Sequence, residues 1–345
     1  MSAVARIDVP AFQANVRLLA AAVAPTPIMV MLKANAYGHG MLHLARPALD
    51  AGADALGTLD IPSAIALRDA GVDAPLFAWL HGSGADFAEA AARSVDVGIS
   101  SSRELAAALD QDLQAPLAVH LKIDTGLHRN GASAEDWPAL VAAAVDAERA
   151  GRLRVRGIWS HLADAGADAD RAALAEFEAA VEIARALGAR PEMLHVAASS
   201  AGLYLPAARF DIVRFGIAAY GVSPFDDRSA SDIGIVPVMT FISSVTSVGQ
   251  DGSAVIGAGW ADGTHPTAAG RASILVGDRL RPVTSVDVDS MTVGESADVS
   301  IGDEAIIFGP GTRGEPTPAD WAGWASTVGD EILTRVSGRV PREYV

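Results

Sequence analysis

Val30-Met-Leu-Lys-Ala-Asn-Ala-Tyr-Gly-His-Gly40 is the stretch around which the fold and the chemistry of this chain organise. The apolar run Pro27–Leu32 predicts a strand buried on both faces, as in a parallel sheet. It stops at Lys33, and a small, glycine-punctuated turn leads into a helical pattern from about Met41. A lysine at the carboxyl end of a buried strand is costly unless it is paired, deprotonated or used covalently. The ordinary alternative is a lysine snorkelling off a strand end. What sets Lys33 apart is its company: Ala34, Asn35, Ala36, Gly38 and Gly40 let backbone come close to a ligand, and Tyr37 adds a polar tip.

Working outward, Ala5–Val9 reads as a short strand and Pro10–Val23 as an amphipathic helix with Phe12, Val16 and Leu19 on one side. Short apolar runs then recur at roughly 20 to 40 residues, the spacing of βα units. They are Pro27–Lys33, Ala55–Leu59, Ala74–Leu80, Val95–Ile99, Leu117–Ile123, Val155–His161, Glu192–Ala198 and Ile212–Tyr220. Alanine-rich helical stretches separate them: Pro62–Ala70, Ser102–Leu109, Ala134–Ala150 and Arg171–Leu187, with only a short segment around Leu203 before the last strand. This alternation predicts an α/β architecture, a (β/α)8 barrel of the TIM type. From Ile235 the pattern changes to short β-branched runs with frequent Gly and Pro: Val236–Val248, Arg271–Val276, Val283–Val288, Glu304–Phe308 and Glu331–Val336. These predict an all-β C-terminal domain. The expected division is residues 1–226 for the barrel and 227–345 for the β-rich domain, with the first strand a candidate to join the second.

With 345 residues, half of them hydrophobic, the chain can hold one large and one smaller domain. A net charge of −16 argues against nucleic acid or an anionic membrane surface as partner. The absence of cysteine excludes disulfides and thiolate metal sites. No signal-peptide pattern opens the sequence and no apolar run is long enough to span a bilayer, so a soluble cytoplasmic enzyme is expected.

In a barrel, chemistry collects where strands end at the carboxyl face. Those ends read Lys33, Lys122-Ile-Asp-Thr-Gly-Leu-His-Arg129, Trp159-Ser-His161, His195-Val-Ala-Ala-Ser199 and Val213-Arg-Phe-Gly-Ile217. Any one is explicable as a capped strand end; five on one face point to a site. Catalysis with pyridoxal 5'-phosphate (PLP) needs a lysine, phosphate donors and a partner for the pyridine nitrogen. Gly216 and Ile217 can offer backbone N–H groups, Ser199 a hydroxyl, and Arg214 a group to face the ring.

These segments resemble the alanine racemase family, fold-type III PLP-dependent isomerases, over residues 5 to 345. The resemblance implies that Lys33 is the Schiff-base lysine and Tyr37 a phosphate contact, and that Lys122 is a carbamylation candidate. Arg129 would lie near the cofactor phenolate and substrate carboxylate, and His161 would stack on the pyridine ring. His195 and Arg214 would form the relay to the ring nitrogen, with Ser199, Gly216 and Ile217 holding phosphate. An arginine at that nitrogen leaves it unprotonated, which favours reversible α-proton transfer. The family also implies an amino-acid substrate, no metal, and a homodimer with shared active sites, in which Trp260 and Asp289 act across the interface.

Racemisation needs one acid–base on each face of the α-carbon. The family's second one is a tyrosine in Gly-Tyr-Ala-Asp-Gly, whereas this chain reads Gly259-Trp-Ala-Asp-Gly263. An indole N–H donates only and cannot accept the proton. Ala198 replaces the Asn of the family's Asn-Ser pair, Gly338 replaces a tyrosine next to the phosphate, and the Met-Asp pair becomes Val288-Asp289. Three readings stand: a racemase with a substitute base, His265 being the candidate; a one-base PLP reaction such as decarboxylation, elimination or exchange; and a PLP-binding homologue without turnover.

Overall fold

The computed structural model describes residues 3–345. The chain divides into two compact units, one formed by Val16–Lys33 and Ala48–Gly216, the other by the N-terminal segment up to Asn15, Ala34–Pro47 and Ile217–Val345.

After β1 (Val4–Ile7), which belongs to the second unit, the first unit is built on eight parallel strands. These are β2 (Ile28–Met31), β3 (Ala55–Thr58), β4 (Leu76–Ala78), β5 (Val95–Ile99), β6 (Leu117–Lys122), β7 (Leu153–Trp159), β8 (Met193–His195) and β9 (Val213–Phe215). Strands β2 to β8 pair in chain order and β9 pairs with β2. The seam between β8 and β9 closes through backbone bonds from Asp211 N to Leu194 O and from Arg214 N to Ala197 O, both 3.1 Å. The result is the (β/α)8 barrel that the strand spacing predicts. Strands β2, β3 and β5 are buried at every position, which is why they read as unbroken apolar runs rather than alternating ones. Met29, Met31, Ala55, Phe77, Trp159 and Ile212 pack as one cluster, with Trp79 and Met193 against it. A Cβ at Gly57 would come within 2.4 Å of Met31 Cε, so the barrel is filled rather than hollow.

The outer helices start where polar side chains can take up orphan N–H groups. Asp60 accepts from Ser63 N (2.9 Å) ahead of helix Ile61–Asp69, and Ser101 accepts from Glu104 N (3.2 Å) ahead of Ser102–Leu109. Helix Trp137–Arg149 buries Leu140, Val141, Ala144 and Val145 at helical spacing, and Trp137 Nε1 donates to Ala180 O of the next helix, Ala167–Ala186. Burying Leu140 or Val141 contributes about 1.5–3 kcal/mol each.

In the second unit, β1 sits between β10 (Met239–Val248), to which it is antiparallel, and the last strand, Arg342–Tyr344, to which it is parallel. The sheet also holds β11 (Ala254–Ile256), β12 (Ser273–Val276), β13 (Arg279–Val286), β14 (Met291–Val293) and β15 (Glu304–Phe308), so Arg342–Tyr344 is β16. The order is β11-β14-β13-β12-β15-β10-β1-β16, and β11 also pairs with β10, curling the sheet back on itself. Gly277 (φ +65°) supplies the positive φ that the two-residue β12–β13 hairpin needs at its first central position. One expectation fails here. Glu331–Val336 is not a strand; it lies within and just after helix Gly329–Arg335, which follows helix Pro318–Ala325. The first of these helices is set by a Thr317–Asp320 capping box with Pro318 in its first turn. The other opens on Asp330 and Glu331 and ends on Arg335, charges that suit the helix dipole, while only Ile332 and Leu333 give the apolar run its strand-like look. The last barrel strand is likewise shorter than expected: β9 ends at Phe215 and Ile217–Tyr220 is a 3-10 turn. No helix of the described residues is long and apolar enough to cross a membrane.

Candidate active site

Lys33 follows β2 after Leu32 and leads into an unusual backbone. Ala34, Asn35, Ala36 and Tyr37 have φ of 51°, 55°, 56° and 50°, a left-handed turn of four non-glycine residues. Such a conformation costs about 1–2 kcal/mol per residue, so the surroundings must impose it. Gly38 N bonds Ala34 O (2.9 Å), His39 N bonds Ala36 O (3.0 Å) and Gly40 N bonds Asn35 O (2.9 Å). Tyr37 and the fully buried His39 each pack a ring 4.8 Å from that of Tyr220. His39 Nδ1 donates to Ala36 O (2.9 Å) and Tyr37 O (3.0 Å), and burial lowers its pKa to about 4, so the ring stays neutral. Arg342 Nε donates to Gly38 O (2.9 Å), while its other nitrogens reach Val336 O, Ser337 O and Val340 O, all at 2.6 Å. The glycines are required by contact: a Cβ at Gly38 would sit 2.7 Å from Leu333 O and one at Gly40 2.0 Å from Tyr344 Oη. Tyr37 is itself buried, and burial pushes its hydroxyl pKa far up.

The polar strand ends of the barrel unit do converge. Arg214, on β9 and 3% exposed, donates Nη1 to His195 Nδ1 (2.9 Å) and Nη2 to Ser160 O (2.9 Å), Val196 O (3.1 Å) and His161 Nδ1 (3.1 Å). Burial lowers its pKa to about 9, which still leaves it cationic at neutral pH. Because a guanidinium only donates, the facing nitrogens of His195 and His161 must be bare. Both rings are accordingly held neutral, their pKa values pushed well below 6.5 by burial first and Arg214 second. Ser199 Oγ accepts from Gly216 N (3.2 Å), which puts a hydroxyl and a backbone N–H at one spot. Ile217 follows Gly216 in sequence but packs with the second unit.

Lys122 ends β6 almost completely buried, with Nζ 4.6 Å from the centre of the Trp159 ring, on which Arg214 also lies at 5.2 Å. Burial, then the charges of Arg214 and Arg129, lower its pKa to about 8. A neutral amine is therefore available near physiological pH. Arg129 is exposed on the loop after Lys122. That loop is shaped by Asp124, which accepts from Gly126 N and His128 N (both 3.1 Å), and by Gly131, whose Cβ would meet Asp124 N at 2.6 Å.

The remaining expected residues, Trp260 and Asp289, lie in the β-rich unit and come together there. Trp260 N and Ala261 N donate to Asp287 O and Val288 O, both 2.9 Å. Gly259 permits this approach, since a Cβ on it would be 2.3 Å from Val288 O. Arg339 ties the two turns, with Nη2 2.7 Å from Asp289 Oδ1 and Nε 3.0 Å from Asp262 Oδ1. Asp262 also accepts from Gly259 N (2.9 Å). The Trp260 side chain is 46% exposed. His265, the candidate substitute base, is half-buried, with Nδ1 2.8 Å from Thr267 Oγ1 and Nε2 4.0 Å from Glu331. Burial and Arg335 lower its pKa.

Comparison with known proteins agrees with this layout. The alanine racemase N-terminal domain model matches residues 7–224 and the C-terminal domain model residues 242–344. The chain belongs to the alanine racemase family. It is 41% identical to the alanine racemase of Thermobifida fusca, over 99% of this chain and 97% of that one, and 39% identical to that of Mycolicibacterium smegmatis, over 98% and 94%. Among solved structures, the alanine racemase from the D-cycloserine-producing Streptomyces lavendulae superposes with a TM-score of 0.97 at 37% identity, covering 100% of this chain and 97% of that chain. The alanine racemase of Streptomyces coelicolor A3(2) does so with 0.96 at 39% identity, covering 100% and 98%.

Alanine racemase family enzymes use PLP, and the donor set here fits that group. A lysine stands at a barrel strand end, a buried guanidinium is held by four acceptors, and a serine hydroxyl meets a glycine N–H. Four residues of this neighbourhood are absent from the sequence reading as site candidates: Trp159 as the plate under Arg214 and Lys122, and His120, Asp96 and Arg156 behind His195. A signal existed, because His120 and Asp96 interrupt runs that otherwise read as wholly buried strands.

Proposed function

We propose that this chain is a PLP-dependent isomerase that moves the α-proton of a small, alanine-type amino acid, with Lys33 as Schiff-base residue and as acid–base on one face. The observation that carries this is the buried Arg214 cluster beside the barrel strand ends, a cation held by neutral imidazoles and carbonyls. When bound, PLP supplies the electron sink that makes the α-proton removable. The residues of the chain do the rest. Arg214, already protonated, would offer N–H groups to the ring nitrogen and leave it without a proton of its own. His161 would lie against the ring, Ser199 and Gly216 would hold the phosphate, and Ile217 and Tyr37 are the further phosphate candidates that the family resemblance gives. Arg129 takes the substrate carboxylate, and Lys122, neutral in a useful fraction because its pKa is about 8, is a carbamylation candidate. Trp260 and Asp289 belong to the substrate side, reached by pairing two copies so that each site joins one protomer's barrel to the other's β-rich unit.

A second reading rests on one observation: Trp260 stands where a tyrosine would act on the opposite face, and an indole cannot take a proton. On that reading the chain exchanges a proton on one face only. Alanine in D2O with the PLP-loaded protein separates the two. Deuteration of both enantiomers with loss of chirality supports the isomerase and requires a second acid–base, His265 being the candidate. Deuteration of one enantiomer with retention supports the one-face reaction. A protein that shows no visible cofactor absorbance after incubation with PLP contradicts both.

A further inference from the structure

Behind Arg214 a line of buried polar groups runs from β9 to β5. His195 Nδ1 accepts from Arg214 Nη1 (2.9 Å), so the proton of that neutral ring sits on Nε2. His195 Nε2 lies 2.8 Å from His120 Nδ1, which must then accept, placing the proton of His120 on its own Nε2. That nitrogen faces Asp96 Oδ2 at 3.4 Å, and Arg156 Nη1 donates to both oxygens of Asp96, at 2.9 Å to the same Oδ2 and at 3.1 Å to Oδ1. Exposure along the line is 0% for His195, 1% for His120 and 7% for Asp96. The backbone is shaped to admit it. The β6–β7 register slips between Val119 and His120, and a Cβ at Gly157 would lie 2.3 Å from His120 Nδ1. Phe77 packs on both imidazoles (4.7 and 5.4 Å) and Trp159 stacks on His195 (5.6 Å, 12°), which keeps the line dry.

We propose that Asp96, acting through His120 and His195, is a positioning residue that fixes the donor direction and orientation of Arg214. The inference rests on the reading of Arg214 as the partner of the PLP ring nitrogen. Every link is one-directional: a carboxylate only accepts, so His120 must donate to it, and His195 must donate to His120 and accept from Arg214. Asp96→Leu breaks this order. It removes the carboxylate and leaves the His120 Nε2–H without an acceptor, so nothing holds His120 in the tautomer that accepts from His195.

Histidine-selective 15N NMR on the full-length protein, with and without PLP, reads the order directly. Both His195 and His120 are expected as neutral Nε2–H tautomers, and an Nδ1–H tautomer at either position overturns the proposal. In Asp96→Leu the PLP dissociation constant is expected to rise about tenfold, the size of one hydrogen bond to a charged group. In Asp96→Asn the amide oxygen can take the Oδ2 place and accept from both His120 and Arg156, so tautomers and affinity are expected to stay close to wild type. A loss in Asp96→Asn as large as in Asp96→Leu, or unchanged affinity in a folded Asp96→Leu, overturns the proposal. If Asp96→Leu does not fold, the wild-type tautomers and Asp96→Asn decide. A wild type that binds no PLP defeats the cofactor reading alone, because the tautomers are judged without it.

Discussion

The Arg214 cluster and the Trp260 turn keep different things. Around Arg214 the functional side chains themselves are interlocked: one guanidinium serves four acceptors, and each of its imidazole neighbours is held neutral by the same burial. Around Trp260 the scaffold is interlocked and the side chain is not. Gly259, Asp262, Asp289 and Arg339 fix the turn, while the indole projects 46% exposed. A residue bonded to four partners cannot change without leaving several buried polar groups unsatisfied. A side chain standing free of its own scaffold can change at little cost to folding. Under the proposed function Trp260 marks the second face, so that face is the part of the site most open to substitution.

The largest expected effect is on the cofactor side. Lys33→Ala is expected to abolish the visible absorbance of lysine-bound PLP and to lower α-proton exchange by about 10³-fold or more, the scale of a lost general base. Absorbance scans and deuterium incorporation by NMR check both. Retention of exchange in Lys33→Ala would show that another group holds the cofactor. The complementary experiment acts on the other region. Trp260→Tyr restores an acid–base in a turn whose backbone is already in place, and alanine racemisation is expected to rise by about 10²-fold or more. Polarimetry or chiral chromatography measures it. If Trp260→Tyr racemises no faster than wild type, the exposed indole is not the element that limits the second face.

How much of this was legible beforehand follows the same division. The barrel strands declared themselves because residues buried on both faces produce unbroken apolar runs, and the polar residues that end them stood out for the same reason. Glu331–Val336 misled because two adjacent apolar residues carry no period, and the helix is decided by dipole charges and packing instead. The left-handed turn after Lys33 was beyond reach. Ala34, Asn35 and Ala36 have no local preference for positive φ strong enough to announce it, and the groups that impose it, Tyr220 and Arg342, lie far along the chain. The His195–His120–Asp96 line needed the four adjacent strands β5 to β8, with Gly157 on β7 leaving room, before its members became neighbours.

If the Arg214 cluster owes its permanence to satisfied bonds, breaking it should cost folding as well as binding. Arg214→Met removes the charge and leaves Ser160 O, Val196 O and the bare nitrogens of His195 and His161 without their donor. A loss of about 2–4 kcal/mol is expected in urea denaturation of the apoprotein. Trp260→Ala, on the exposed side of the comparison, is expected to change the same midpoint by about 0.5 kcal/mol or less. Equal losses in the two variants would remove the distinction between the regions.

The smallest effect tests the cation packed beside Arg214. Lys122 has a folded pKa of about 8 against an ordinary value of 10.5, so above pH 8 the unfolded chain holds a proton that the native one has given up. Stability should therefore rise with pH between about 8 and 10, by at most about 1.4 kcal/mol per pH unit from this group. Above pH 10 the buried Tyr37 and Tyr220, whose hydroxyls resist ionising in the native state, reverse the sign, because the unfolded chain then loses protons that the native one keeps. Lys122→Met should flatten the rise below pH 9, leaving above it only what Arg214, with its pKa lowered to about 9, contributes, without moving the decline. Saturating bicarbonate should flatten it too, if the amine is carbamylated, since a carbamate nitrogen no longer takes up the proton. Urea midpoints at pH 7.5, 8.5 and 9.5 for the wild type, the variant and the bicarbonate-treated protein separate these cases. Identical slopes in wild type and Lys122→Met would mean that the strand-end lysine is solvated, and that the like charges of Arg214 and Arg129 do not press on it as their geometry requires.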